Sequence, residues 1–135
     1  MLSQQYKSTQ ALDALRKMET LGLKPNDESY NQVMTAFAKN RDIAMVEQLN
    51  KEAQDKYGLK ASKYRLNALI LAYAKNNQGL NAEKVLRDMV KDGLRPDAIT
   101  YTTVIDAYKR TRDIAKCWEL YEYYVTNVNL ETDAR

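Results

Sequence analysis

Histidine is absent from this 135-residue chain, and cysteine occurs once, as Cys117. The first absence removes histidine-based acid–base catalysis, histidine triads and the common zinc sites. The second excludes an intrachain disulfide and allows a reducing compartment. Only 4 Gly and 2 Pro occur, too few for a turn-rich β fold. No apolar run approaches the ~18 residues of a membrane-spanning helix, so no membrane partner is expected. The opening Met1-Leu2-Ser3-Gln4-Gln5-Tyr6 has neither an apolar signal core nor an arginine-rich presequence. On this reading a targeting segment has been removed, or the chain is an internal piece of a longer protein.

What is present favours helix. Apolar residues make up 44%, enough for a core, and Ala, Leu, Lys, Glu and Gln dominate. The net charge of +3 permits an anionic partner without demanding one.

Comparison of the chain with itself is more informative. Gly22-Leu23-Lys24 returns as Gly58-Leu59-Lys60 and as Gly93-Leu94-Arg95, at steps of 36 and 35 residues. Tyr30, Leu66 and Tyr101 keep the same steps, as do Ala36, Ala72 and Ala107. Each unit reads as two helices. The first starts behind a capping residue (Asn26, Ser62 or Asp97) and carries an apolar stripe such as Tyr30, Val33, Met34 and Phe37. It stops at a polar turn, Asn40-Arg41-Asp42 or its counterparts. The second helix ends near the glycine, as expected of a residue free to adopt positive φ. Tyr57 is an extra residue in the second unit, expected in a loop, with a counterpart near Asn127 or Val128.

The predicted fold class is all-α, a solenoid of stacked helix-turn-helix repeats, because one such pair cannot bury its apolar faces alone. The array occupies 1–135. Residues 1–26 form a partial repeat with only the second helix, followed by repeats at 27–62, 63–97 and 98–133.

Beside the apolar stripe, the first helices carry another. It reads Glu28, Asn31, Thr35, Lys39, then Tyr64, Asn67, Leu71, Lys75, then Ile99, Thr102, Asp106, Arg110. Stacking aligns these stripes into a row of amides and hydroxyls beside a row of cations. Amides pair with base edges, and Lys39, Lys75 and Arg110 suit phosphates. Plainer readings compete. Asn26, Ser62 and Asp97 serve equally as caps, and the three cations also favour their helix dipoles. Tyr64 also suits packing between units, and Cys117 suits the core. Trp118, Tyr121, Tyr123 and Tyr124 read as an apolar face that a further repeat or a protein would cover. Asn31 and Asn67 are harder to explain structurally, because Asn is a poor helix-interior residue.

Residues 82–97, ending in Gly-Leu-Arg-Pro-Asp, and 98–110, Ala-Ile-Thr-Tyr-Thr-Thr-Val-Ile-Asp-Ala-Tyr-Lys-Arg, resemble the pentatricopeptide repeat. The resemblance covers essentially the whole chain. It implies a right-handed superhelix, first helices on the concave side, and single-stranded RNA read at about one base per repeat. It assigns base reading to the fifth residue of each repeat, here Asn31, Asn67 and Thr102, and to the last, here Asn26, Ser62, Asp97 and Asp133. It places Glu28, Tyr64 and Ile99 where side chains sandwich the base; Glu28 departs from the apolar residue usual there. The implied target is C-U-G.

The resemblance implies an RNA-binding module in organellar RNA processing, stabilisation or translation, mitochondrial or, alternatively, chloroplastic. The alternative function is a scaffold in a mitochondrial ribosome or other assembly, where protein partners matter and bases are not read. No catalytic residue, metal, cofactor or small-molecule substrate is expected. A zinc deaminase is excluded within this chain for want of ligands, and the scattered carboxylates do not suit a metal-dependent nuclease.

Overall fold

The computed structural model describes residues 2–133, with side chains from Lys7 to Asn127. Within them lie seven helices and no strand: α1 (Leu2–Thr20), α2 (Asp27–Lys39), α3 (Ile43–Tyr57), α4 (Lys63–Lys75), α5 (Gly79–Lys91), α6 (Ala98–Arg110) and α7 (Ile114–Asp133). The array is an all-α helical-repeat solenoid.

Each helix boundary has a local cause. Asn26, Ser62 and Asp97 adopt extended backbone, and their side chains accept the N–H groups of Ser29, Arg65 and Thr100. Gly58 closes α3 at φ 63°, where a side chain would be strained. Its neighbour Leu59 then donates its N–H back to the Ala53 carbonyl at 3.0 Å.

Tyr57 corrects one expectation. It is the last residue of α3, not a loop insertion. Its hydroxyl donates to Glu19 and its ring packs 6.0 Å from that of Tyr30, so the extra residue lengthens a helix that has partners to hold it. A second correction concerns the chain's last turn. The segment from Ile114 contains no Gly or Pro to stop a helix, and α7 runs unbroken to Asp133. Asp133 is therefore helical, unlike the extended caps it was expected to match. Its side chain, like that of Val128, lies outside the described residues.

Two apolar clusters share α4 as their common wall. Leu15, Tyr30, Met34, Val46 and Leu49 pack with Ala68 and Ala72 on one side. Ile70 packs with Leu86, Met89, Tyr101, Val104 and Leu120 on the other. The alanines of α4 let it approach α2 closely. Gly79 serves the same end, since a Cβ there would stand 3.1 Å from the Tyr108 ring. The aromatic group on α7 divides: Tyr123 and Tyr124 pack toward Tyr101, while Trp118 and Tyr121 remain exposed.

First helices pack directly on one another, α2 on α4 and α4 on α6. Second helices meet through long side chains. Arg16 of α1 grips Glu52 of α3 at 2.5 and 3.0 Å, and Arg87 of α5 reaches Glu119 of α7 at 3.4 Å. The close inner rail and the wider outer rail curve the array, with the first helices inside.

The outer braces depend on ionised carboxylates. Glu52 also accepts the Tyr30 hydroxyl at 2.8 Å, and Glu19 accepts Arg16 at 2.9 Å and Lys56 at 2.8 Å. Burial opposes the charge on Glu19, but the bonds from Lys56, Tyr57 and Arg16 hold its carboxyl down to about 2. The Arg16 bond holds Glu52 below the usual carboxylate range as well. Groups depressed in this way stabilise the fold above their unfolded pKa, and that contribution is lost as pH falls through the folded value. The melting temperature is therefore expected to fall as pH drops from about 4.5 toward 2. Glu19→Gln should flatten that fall in thermal melts. A variant with the parent's slope would remove Glu19 as its source.

Candidate nucleic-acid interface

Three clefts follow one another along the inner rail. The first, of about 480 Å³, is lined by Asn26, Asp27, Glu28, Asn31 and Tyr64. The second, of about 250 Å³, includes Asn31, Tyr64, Asn67, Leu71, Ile99 and Thr103. The third, of about 570 Å³, includes Leu71, Lys75, Thr103, Asp106, Lys109 and Arg110. Asn31 and Tyr64 belong to the first two, and Leu71 and Thr103 to the last two. The clefts are thus one continuous groove, amide-rich at its middle and cationic at one end.

Asn31 and Asn67 are both half-buried, each with its amide in the groove wall. Tyr64 and Ile99 stand beside them, 59% and 73% exposed. Large apolar groups so exposed suit stacking against a flat ligand better than they suit a core. Glu28 is exposed in the first cleft and brings a negative charge there.

The remaining expected residues are placed less uniformly. Ser62, Asp97, Thr102 and Lys39 stand outside these three clefts. Ser62 is drawn into structure: its hydroxyl donates to Asp27 at 2.9 Å while accepting the Arg65 N–H at 3.1 Å. Thr102 is exposed on α6, and the side chain of its expected partner Asp133 lies outside the described residues. Asp97 is exposed; burial opposes its charge, but hydrogen bonds from Thr100 and the charge of Lys63 hold its carboxyl below the usual range. Arg110 lines the third cleft, yet one arm donates to the Ala74 carbonyl at the end of α4. It is part cap and part groove cation.

Two residues escaped the sequence reading. Arg65 is fully buried and holds Asp27 at 2.6 Å, Asn50 at 2.6 Å and the carbonyls of Leu59 and Lys60. Thr100 is also buried and reaches both Asn67 and Asp97. Repeat phase carried the signal. Ser29, Arg65 and Thr100 share one position, and an arginine among small hydroxyl residues marks an exception. Among the described residues no group of His, Cys, Asp and Glu is arranged to hold a metal ion. Nor is any helix long and apolar enough to cross a membrane.

A stack of helix hairpins with a polar and cationic groove along its first helices defines a helical-repeat solenoid. The PPR repeat family model matches residues 65–110, and the PPR repeat model matches residues 99–124. The chain belongs to the pentatricopeptide repeat family. A mitochondrial pentatricopeptide repeat-containing protein of Arabidopsis thaliana is 33% identical over 76% of this chain and 26% of its own length. A chloroplastic one from the same plant is 27% identical over 90% of this chain and 20% of its own. The chain thus spans about a quarter or less of these relatives. The crystal structure of the pentatricopeptide repeat protein PPR10 in complex with an 18-nt psaJ RNA element matches with a TM-score of 0.78 at 25% identity. That match covers 89% of this chain and 18% of that one. The PPR domain of Arabidopsis thaliana protein-only RNase P 1, solved in complex with tRNA, matches in fold, with a TM-score of 0.69 at 13% identity over 90% of this chain and 62% of its own.

Proposed function

We propose that this chain is a module that binds single-stranded RNA along the first-helix groove and acts in an organelle, mitochondrion or chloroplast, in RNA processing, stabilisation or translation. The continuity of the three clefts is the observation that carries the reading. A strand laid along it meets amides at Asn31 and Asn67, apolar faces at Tyr64 and Ile99, and cations at Lys75 and Arg110. Asn26 and Asp97 add polar groups at the helix caps, and Lys39 extends the cationic row. The names of the relatives support the organellar location, and the RNA complex of PPR10 supports the ligand. The ribosomal-scaffold alternative draws no support from these relatives and is not carried further. Binding, not catalysis, is the role proposed for these repeats, which we place at 27–62, 63–97 and 98–133.

Stacking contributes ~1–3 kcal/mol per base, so three units alone bind with modest affinity. Fluorescence anisotropy with a C-U-G-bearing RNA, a scrambled strand and the same sequence as a duplex tests the reading. The C-U-G strand is expected to bind best and the duplex worst. Equal binding of strand and duplex would refute a groove for single strands.

A further inference from the structure

Thr100 is 2% exposed, on the wall between α4 and α6. Its hydroxyl oxygen lies 2.7 Å from Asn67 Oδ1 and 3.0 Å from Asp97 Oδ1. Asp97 Oδ1 already accepts the Thr100 backbone N–H at 3.0 Å. A hydroxyl has one proton to give. In the structure the hydroxyl faces the amide oxygen, Oδ1, and not the nitrogen. Asn67 Nδ2, which donates to no group among the described residues, is left for the groove.

We propose that Thr100 is a positioning residue that locks the Asn67 carboxamide as a donor and so sets a preference for uracil over cytosine at this point of the groove. The proposal rests on the RNA reading above and deepens it. A donor at Asn67 with an acceptor at Asp97 matches a base edge offering acceptor and donor in that order. Uracil does so through O4 and N3–H, whereas cytosine offers the reverse, N4–H and N3. An amide free to turn over would accept from cytosine N4–H, and the distinction would shrink.

The neighbouring junction lacks the device. Arg65 stands where Thr100 does, with no hydroxyl to give, and Ser62 donates to Asp27 instead. The hydroxyl contact at Asn31 Oδ1 comes from Thr35, at 3.4 Å. Selectivity is therefore expected to be sharper at Asn67 than at Asn31.

The test compares C-U-G-bearing and C-C-G-bearing single-stranded RNAs against the parent, Thr100→Val and Thr100→Ser. The parent should favour uracil by about five- to tenfold, the size of one hydrogen-bond mismatch. Thr100→Val should bring the two RNAs within about twofold, and Thr100→Ser should restore the preference. Discrimination at the base opposite Asn31 should stay as in the parent for both variants. A Thr100→Val protein that keeps the uracil preference overturns the proposal and leaves RNA binding standing. A parent that binds both RNAs alike also overturns it alone. A parent that binds no single strand overturns the RNA reading and this proposal together. Should Thr100→Val fail to fold, the Thr100 hydroxyl proton in NMR spectra of the parent decides the matter. Slow exchange supports the lock, and exchange as fast as an exposed threonine's overturns it.

Discussion

Replacing Arg65 with alanine is expected to lower stability by about 2–3 kcal/mol, less than a wholly buried ion pair would lose, because the Asp27 carboxylate is partly exposed to water. The guanidinium is wholly enclosed and spends its donors on Asp27, Asn50 and the carbonyls of Leu59 and Lys60. Its removal leaves the Asn50 amide oxygen and two backbone oxygens without this donor, while Asp27 keeps the Ser62 hydroxyl. These groups belong to α2, α3 and the turn before α4, so the bond ties one helix hairpin to the next. Stability in such arrays is a sum of unit and interface contributions. The loss should therefore appear as an uncoupling, with urea unfolding splitting into two transitions. Arg65→Lys should rescue little, because an ammonium cannot reproduce a planar fork aimed at four acceptors. Arg65→Met combined with Asp27→Ala should recover part of the loss by removing both charges. A single sharp transition for Arg65→Ala, at the parent's midpoint, would show that the interface does not depend on this residue.

Removing Lys39, Lys75 and Arg110 together is expected to abolish most of the salt dependence of RNA binding. Each phosphate neutralised on a single strand contributes about 0.7 to the slope of log affinity against log salt, so three removals should flatten it by about 2. Lys75 and Arg110 share the third cleft, and Lys39 is exposed at the end of α2. Net charge alone could mimic the effect, so the matching control replaces Lys51, Lys84 and Lys91, exposed lysines on the second helices α3 and α5. That variant has the same formal charge and should retain the parent's slope. Arg110→Ala calls for a melt beside the titration, because its arm on the Ala74 carbonyl also caps α4. Equal slopes for the two triple variants would show that binding follows overall charge and not the groove.

The repeat step, the hairpin pattern and the family were legible in the sequence because each rests on local, periodic signals. A cap before every first helix, an apolar residue every third or fourth position and a glycine after the second helix suffice to predict stacked hairpins. Asn31 and Asn67 were found the same way, as unfavourable helix residues recurring in phase. Less could be said of the last unit. Counting places Asp133 at a cap position, but the segment from Ile114 to Asp133 holds no Gly or Pro to break a helix, and Asp133 belongs to α7.

Sequence alone determined which residues recur, because recurrence is a property of the chain. Tertiary structure alone decided what each recurring side chain is committed to. Ser62 and Asp97 occupy one repeat position, yet Ser62 is bound to Asp27 while Asp97 is linked through Thr100 to Asn67. The physical reason is that a hydrogen bond is settled by which donors and acceptors the packing brings within about 3 Å. Those partners lie roughly one repeat away along the chain, beyond the reach of any local pattern.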